Sequence, residues 1–307
     1  MDEAAYFCGL GLLHLPGFWR TSCGTSGRGR FLYTPAARMR LKRIKPNFDF
    51  FHFDKLLILF LTVFLFVFGI FAQEPVQQYD NLKFGIPGPA DTIINREGYA
   101  LGYSEKHEQA IWVSYILTRE ELSERKAKRT NKFLPDPDIP SESARPSDYT
   151  RSGFDRGHLA PAADMSFSVT AMRDSFYMSN MSPQRPAFNR GIWAKLEKQI
   201  RRFANQEVCI VVVTGPVLPA EKTVTIGASK VTVPEYYFKV VYDLTPPQKM
   251  IGFILPNKGS QNELFSFAVT VDHVEKITGL DFFKLVPKQK QEKLESTISV
   301  ESWDWID

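Results

Sequence analysis

Cysteine is scarce: the chain has three in 307 residues, Cys8, Cys23 and Cys209. The first two fall in an N-terminal leader, so a processed body would keep Cys209 alone and could form no intramolecular disulfide. Cys209 lies inside the apolar run Val208-Cys209-Ile210-Val211-Val212-Val213-Thr214, the setting of a buried strand cysteine rather than a nucleophile. Zinc-type Cys/His spacing is missing too, which excludes a structural zinc module. There is no internal repeat and no glycine-rich phosphate loop, which argues against a P-loop nucleotide hydrolase. A global excess of positive charge is also absent. The formal net charge is +4, but residues 1–72 hold nine Lys/Arg against four Asp/Glu, so the remaining chain carries about −1. Any contact with nucleic acid must therefore be a local patch.

One long hydrophobic run is present. Residues 56–72 (LLILFLTVFLFVFGIFA) are nearly unbroken apolar sequence behind Arg40, Lys42, Arg43, Lys45 and Lys55. That length sits at the lower limit of a spanning helix and slightly above a usual signal core, so a cleaved signal peptide and a membrane anchor are both open. Ala72 before Gln73 suits cleavage. The basic flank stays cytoplasmic and places the body across the membrane, periplasmic, secreted or membrane-anchored. The Arg-rich, acid-poor residues 20–45 also fit a mitochondrial presequence, with the apolar run as an inner-membrane anchor and the intermembrane space as the location. Residues 1–38 read poorly as structure, and Met39-Arg40-Leu41-Lys42-Arg43 makes a natural positive opening, so Met39 is the expected start.

The expected plan is a leader over 1–55, the signal or anchor over 56–72, a Gly/Pro-rich linker over 73–90, a catalytic domain over 91–287 and a tail over 288–307. The tail is charged, then aromatic (Trp303, Trp305), and reads as a docking segment or as disordered. Within the domain, 93–103 and 110–118 read as two strands of a hairpin. Residues 119–129 are a charge-dense turn or short helix, and Pro135, Pro137, Pro140 and Pro146 mark an extended loop. A short strand is expected over 175–179. Ile192, Leu196, Ile200 and Phe203 recur at helical steps over 191–205 with Asn189 at the start, and Trp193 reads as helix core. Residues 208–214, 236–244 and 250–255 read as strands of a central sheet, and 272–278 before Gly279 as a helix. His107 falls in a polar turn and His273 on an exposed helix face.

The chemistry gathers in Phe154-Asp155-Arg156-Gly157-His158-Leu159-Ala160-Pro161, Asn180-Met181-Ser182-Pro183-Gln184 and Asn189-Arg190-Gly191-Ile192-Trp193. An imidazole with an ordinary pKa near ~6.5 can accept a proton at neutral pH, and Arg156 two residues earlier supplies a cation for a phosphate. These three motifs, in this order, resemble those of the non-specific DNA/RNA endonucleases of the ββα-metal superfamily, the endonuclease G type. The likeness is close through these segments and extends more loosely over residues 79–283.

The resemblance implies an α+β fold: a central, mainly antiparallel sheet flanked by helices, with a ββα-metal finger built from the His158 strand region and the Asn189 helix. It also implies an enzyme hydrolysing DNA and RNA phosphodiesters with little sequence preference, His158 acting as general base. Mg²⁺, with Mn²⁺ as the alternative ion, would be held directly by Asn189 and through water by Glu197. One protein oxygen can suffice because Mg²⁺ keeps waters and takes phosphate oxygens. Arg156 and Arg129 would contact phosphate, with Arg125 and Lys128 as rivals of Arg129. Asn180 would position the base or the metal loop, or serve as a turn residue. Asp155 would orient the loop. Arg201, one turn beyond Glu197, is open between binding phosphate and pairing with that carboxylate. The alternative function is a catalytically silent nucleic-acid-binding or membrane-tethered module on the same fold. A membrane partner through 56–72 and a homodimer also remain open.

Overall fold

The computed structural model describes residues 80–305. The leader, the apolar run, the alternative start at Met39 and residues 73–79 of the linker lie outside the described residues. Among those described, no helix is long and apolar enough to cross a membrane.

Eleven strands are described: β1 (Thr92–Asn95), β2 (Ala100–Ser104), β3 (Gln109–Thr118), β4 (Asp155–His158), β5 (Met181–Gln184), β6 (Cys209–Val217), β7 (Thr225–Ile226), β8 (Val231–Thr232), β9 (Tyr236–Asp243), β10 (Lys249–Pro256) and β11 (Ala268–Val269). Seven form an antiparallel sheet in the order β1-β2-β3-β6-β9-β10-β11. Its central strands are rich in valine, isoleucine and aromatics and are buried along nearly their whole length. A strand reads that way when both faces of its sheet are covered. On β6, Ile210 and Val212 enter one core cluster while Val211 and Val213 enter another. The helices α1 (Arg119–Ser123), α2 (Val169–Asp174), α3 (Ala194–Glu207), α4 (Val271–Thr278) and α5 (Lys288–Glu295) complete the α+β fold. Leu196, Ile200 and Phe203 of α3 pack with the first cluster, and Val271 and Val274 of α4 with the second. α4 stops at Gly279, whose φ of +72° is the left-handed cap that glycine adopts without a side-chain penalty.

β4 and β5 form a separate two-stranded ribbon, Asp155 opposite Gln184 and His158 opposite Met181. The chain then runs through a wide turn, Phe188–Trp193, directly into α3. Strand, strand and helix are the expected finger. Pro183 is accommodated because β5 pairs with β4 alone, leaving its other edge without a ladder to break.

Several expectations are corrected. Residues 93–103 are two strands, because the Arg96 amide donates to the Tyr99 carbonyl (2.8 Å) and closes a turn between them. No strand occupies 175–179: Ser168 caps α2 by accepting from the Thr170 and Ala171 amides, and a short turn, Met178–Asn180, follows. Strand pairing starts only at Met181. The boundary at 287 falls too early, since the tail packs on the core: Trp303 is buried, its ring 4.6 Å from that of Phe203. Asp304 pairs with Arg202. His107 is buried, its Nδ1 3.0 Å from the Thr232 hydroxyl. Cys209 is buried as expected.

Candidate active site

His158 closes β4, facing inward from the ribbon. Its ring stands edge-on to Phe176 (4.9 Å between centroids) and tilted to Phe133 (5.8 Å). Nε2 is shut away from solvent without a hydrogen-bond partner, which leaves Nδ1 as the atom to take a proton. Burial, assisted by the nearby charge of Arg129, pushes the imidazole pKa down to about 3. The ring is therefore neutral at pH 7, the form a base requires. Asn180 fixes the backbone beyond it. Its Oδ1 accepts from the Ala160 amide, and its Nδ2 donates to the Ala160 and Ser175 carbonyls, each at 2.9 Å. Asn180 is fully buried, and all three of these bonds go to backbone.

Asp155, at the other end of β4, holds the metal-ligand candidate. Its Oδ2 accepts from Asn189 Nδ2 (2.9 Å), and Arg190 clamps both carboxylate oxygens (2.6 and 2.8 Å). These partners hold the Asp155 pKa below the usual carboxylate value against the opposing effect of burial. A carboxylate accepts only, so the Asn189 amide must turn its nitrogen to Asp155 and its oxygen away. Asn189 is half-buried at the start of the α3 segment, and its amide oxygen is a hard donor of the kind that suits Mg²⁺.

Glu197 sits eight residues on, one face of its helix toward the site. Burial raises its carboxyl pKa, and the charges of Lys239, Arg201 and Arg129 oppose the rise. Arg129 thus lies close enough to act on both His158 and Glu197. Arg201 forms an ion pair, but its partner is Asp164 (2.8 Å), which comes from the loop beyond β4 rather than from the same helix. Asp164 is buried and also accepts from the Tyr115 hydroxyl (3.1 Å). The direct ion pair of Arg201 is therefore with Asp164 and not with Glu197, and it uses one nitrogen of a guanidinium that is 24% exposed.

The two remaining arginines share a structural device. The Arg156 guanidinium stacks 5.1 Å from the Phe133 ring centre and donates to the Pro146 carbonyl, while that of Arg129 stacks 5.1 Å from Phe176. Cations on the outer surfaces of the rings that bracket the base gain cation–π stabilisation and bring positive charge to the rim of the site. Arg129 is exposed and steadied by Asn131. Phe133 is held in turn by a buried network, in which Arg96 pairs with Asp136 (2.5 Å) and Asp136 accepts from Ser179.

Sequence reasoning missed Phe133, Phe176, Asp164, Arg190 and Lys239. The aromatic bracket carries no local signature, because Phe133 and Phe176 are brought together only by the fold. Lys239 did carry a signal: one lysine inside the otherwise apolar strand Tyr236–Asp243.

A family model described as DNA/RNA non-specific endonuclease matches residues 77–289. The mitochondrial nuclease of Saccharomyces cerevisiae is 37% identical over 235 residues, spanning 69% of this chain and 71% of its own. The mitochondrial endonuclease G of Caenorhabditis elegans is 36% identical over 235 residues, 71% of this chain and 76% of its own. Among solved structures, a chain of the EndoG/EndoGI complex superposes with a TM-score of 0.65 at 30% identity, covering 71% of this chain and 96% of that one. By the match over 77–289 and these relatives, the chain belongs to the DNA/RNA non-specific endonuclease family.

Proposed function

We propose that this endonuclease cleaves DNA and RNA phosphodiesters with His158 as general base and a Mg²⁺ ion held by Asn189. The observation that carries the reading is the Asp155 bridge. It ties the strand that presents a neutral, buried imidazole to the asparagine whose amide oxygen is left free.

The donor set suits a hard ion: a neutral amide oxygen backed by a helix carboxylate, with no thiolate or additional imidazole. When bound, such an ion supplies neutralisation of charge on the phosphate and the departing oxygen. His158 takes the proton of an attacking water at Nδ1, a role worth roughly 10²- to 10⁴-fold in typical enzymes. Its Phe133 and Phe176 walls keep the ring in one orientation and exclude bulk water from Nε2. Arg129 is the phosphate contact, being exposed, whereas Arg156 is tied to the Pro146 carbonyl and contributes mainly by charge and position. Glu197 orients the ion's water shell from α3. Arg201 acts one step further back, holding Asp164 beneath it.

The relatives named as mitochondrial favour the presequence reading of the leader, with an anchor at 56–72 and the intermembrane space as location, over export. The test is to incubate the full chain with supercoiled DNA and with RNA, with Mg²⁺ and with EDTA. Cleavage of both that stops in EDTA is expected. Hydrolysis that persists in EDTA would remove Asn189 from its role.

A further inference from the structure

Lysine ordinarily keeps its ammonium in water, because burying an unpaired cation is costly. Lys239 breaks that habit. It lies in the middle of β9 with no exposed surface, and its Nζ has no hydrogen-bond partner among the described residues. The ammonium sits 4.7 Å from the centre of the Trp193 ring, at the junction where the Asn189 turn becomes α3.

Two carboxylates act on that ammonium, Glu197 and Asp164, and one guanidinium opposes it, Arg201. Asp164 is already satisfied by Arg201 and the Tyr115 hydroxyl. Glu197 enters no ion pair within 4.0 Å among the described residues. The uncompensated cation and the uncompensated carboxylate therefore belong to each other, across a gap too wide for direct contact but inside a core where charges are poorly screened. β9 is a central strand with ladder partners on both sides, so it offers a rigid mount. On the helix above it, Arg201 also acts on Glu197, but that guanidinium is paired with Asp164.

We infer that Lys239 is a positioning residue for Glu197, a fixed cation beneath α3 that orients the carboxylate toward the water shell of the ion at Asn189. The lysine touches neither substrate nor ion, and the inference rests on the reading of Glu197 as a ligand through water. Groups at this remove from a metal typically change its affinity 10- to 100-fold when replaced. A merely structural lysine would behave differently. Its loss would lower stability and leave ion affinity alone, whereas loss of a cation that orients Glu197 weakens ion binding as well as costing the stability lost when one member of a buried charge pair is removed.

The experiment measures Mn²⁺ binding to the full chain by EPR of the free ion, counting only the component that Asn189→Ala removes, alongside urea unfolding. Lys239→Met should weaken that component about 10-fold or more in a chain that still unfolds cooperatively in urea. In a Glu197→Gln background the same substitution should weaken it less than about 2-fold, since the partner is already gone. Lys239→Gln, read the same way, serves if the methionine variant does not fold. A lower urea midpoint with unchanged Mn²⁺ affinity would overturn the inference. So would equal losses in the two backgrounds. Wild-type affinity in Glu197→Gln alone would remove the reading of Glu197, and the inference with it.

Discussion

Gly157 offers a sharp test of how the ribbon aims the base. A Cβ at this position would lie 2.1 Å from Gln184 Cδ and 2.2 Å from its Oε1, where ordinary contact begins at 3.4 Å. Either the strands separate or the Gln184 side chain retreats, by about 1.3 Å, and Gln184 is fully buried. Overpacking of this kind costs about 1–3 kcal/mol, offset by roughly 0.4–1 kcal/mol from the stiffer unfolded chain. Gly157→Ala should therefore lose about 1–2 kcal/mol in urea unfolding. Because His158 is the next residue, a shift of about 1 Å should also lower the rate of plasmid nicking by up to ~10²-fold. In a Gln184→Ala background the overlap disappears, and the same substitution should cost almost nothing. Unchanged stability and nicking in the single variant would refute the close approach. Equal costs in both backgrounds would assign the effect to something other than Gln184.

The His158 imidazole should stay neutral well below its ordinary range. Histidine NMR signals of the folded chain should show no titration of this ring between pH 7.5 and 5, and a midpoint near ~6.5 would contradict its burial. A base whose folded pKa is depressed contributes stability that is full above the unfolded value of ~6.5 and is lost as pH falls toward about 3. Urea midpoints should accordingly decline over that window. Trp303→Ala should cost about 3–5 kcal/mol, as expected for a buried tryptophan in the main core, and a loss under about 1 kcal/mol would show that the tail does not belong to the fold.

The strands of the large sheet were legible because β6 and β9 are β-branched or aromatic at most positions, and β3 and β10 are short, mainly apolar runs. That signal needs no knowledge of partners. His158 and Asn189 were legible through the motifs around them, which also named Asn180 and Glu197. What stayed hidden depends on contacts between distant parts of the chain. Helical spacing set Arg201 beside Glu197, yet the fold delivers Asp164 from 37 positions earlier to take it. The motif around Asn180 gave no sign that its side chain bonds the backbone of Ala160 and Ser175, the former 20 positions away. The turn that splits residues 93–103 has Gly98 in it, a turn point legible in the sequence, but the reason for glycine is not local, since a side chain there would meet Met165 and Ala171. The tail looked separable because its apolar residues are few and widely spaced, though Trp303 among them is buried.

The central claim is that a neutral, buried His158 takes the proton from the attacking water. The most direct measurement is the rate of Mg²⁺-dependent plasmid nicking by His158→Ala, with its thermal melting compared to that of the unaltered chain. The rate should fall by roughly 10²-fold or more while melting stays cooperative. Nicking near the unaltered rate by a folded His158→Ala chain would contradict it.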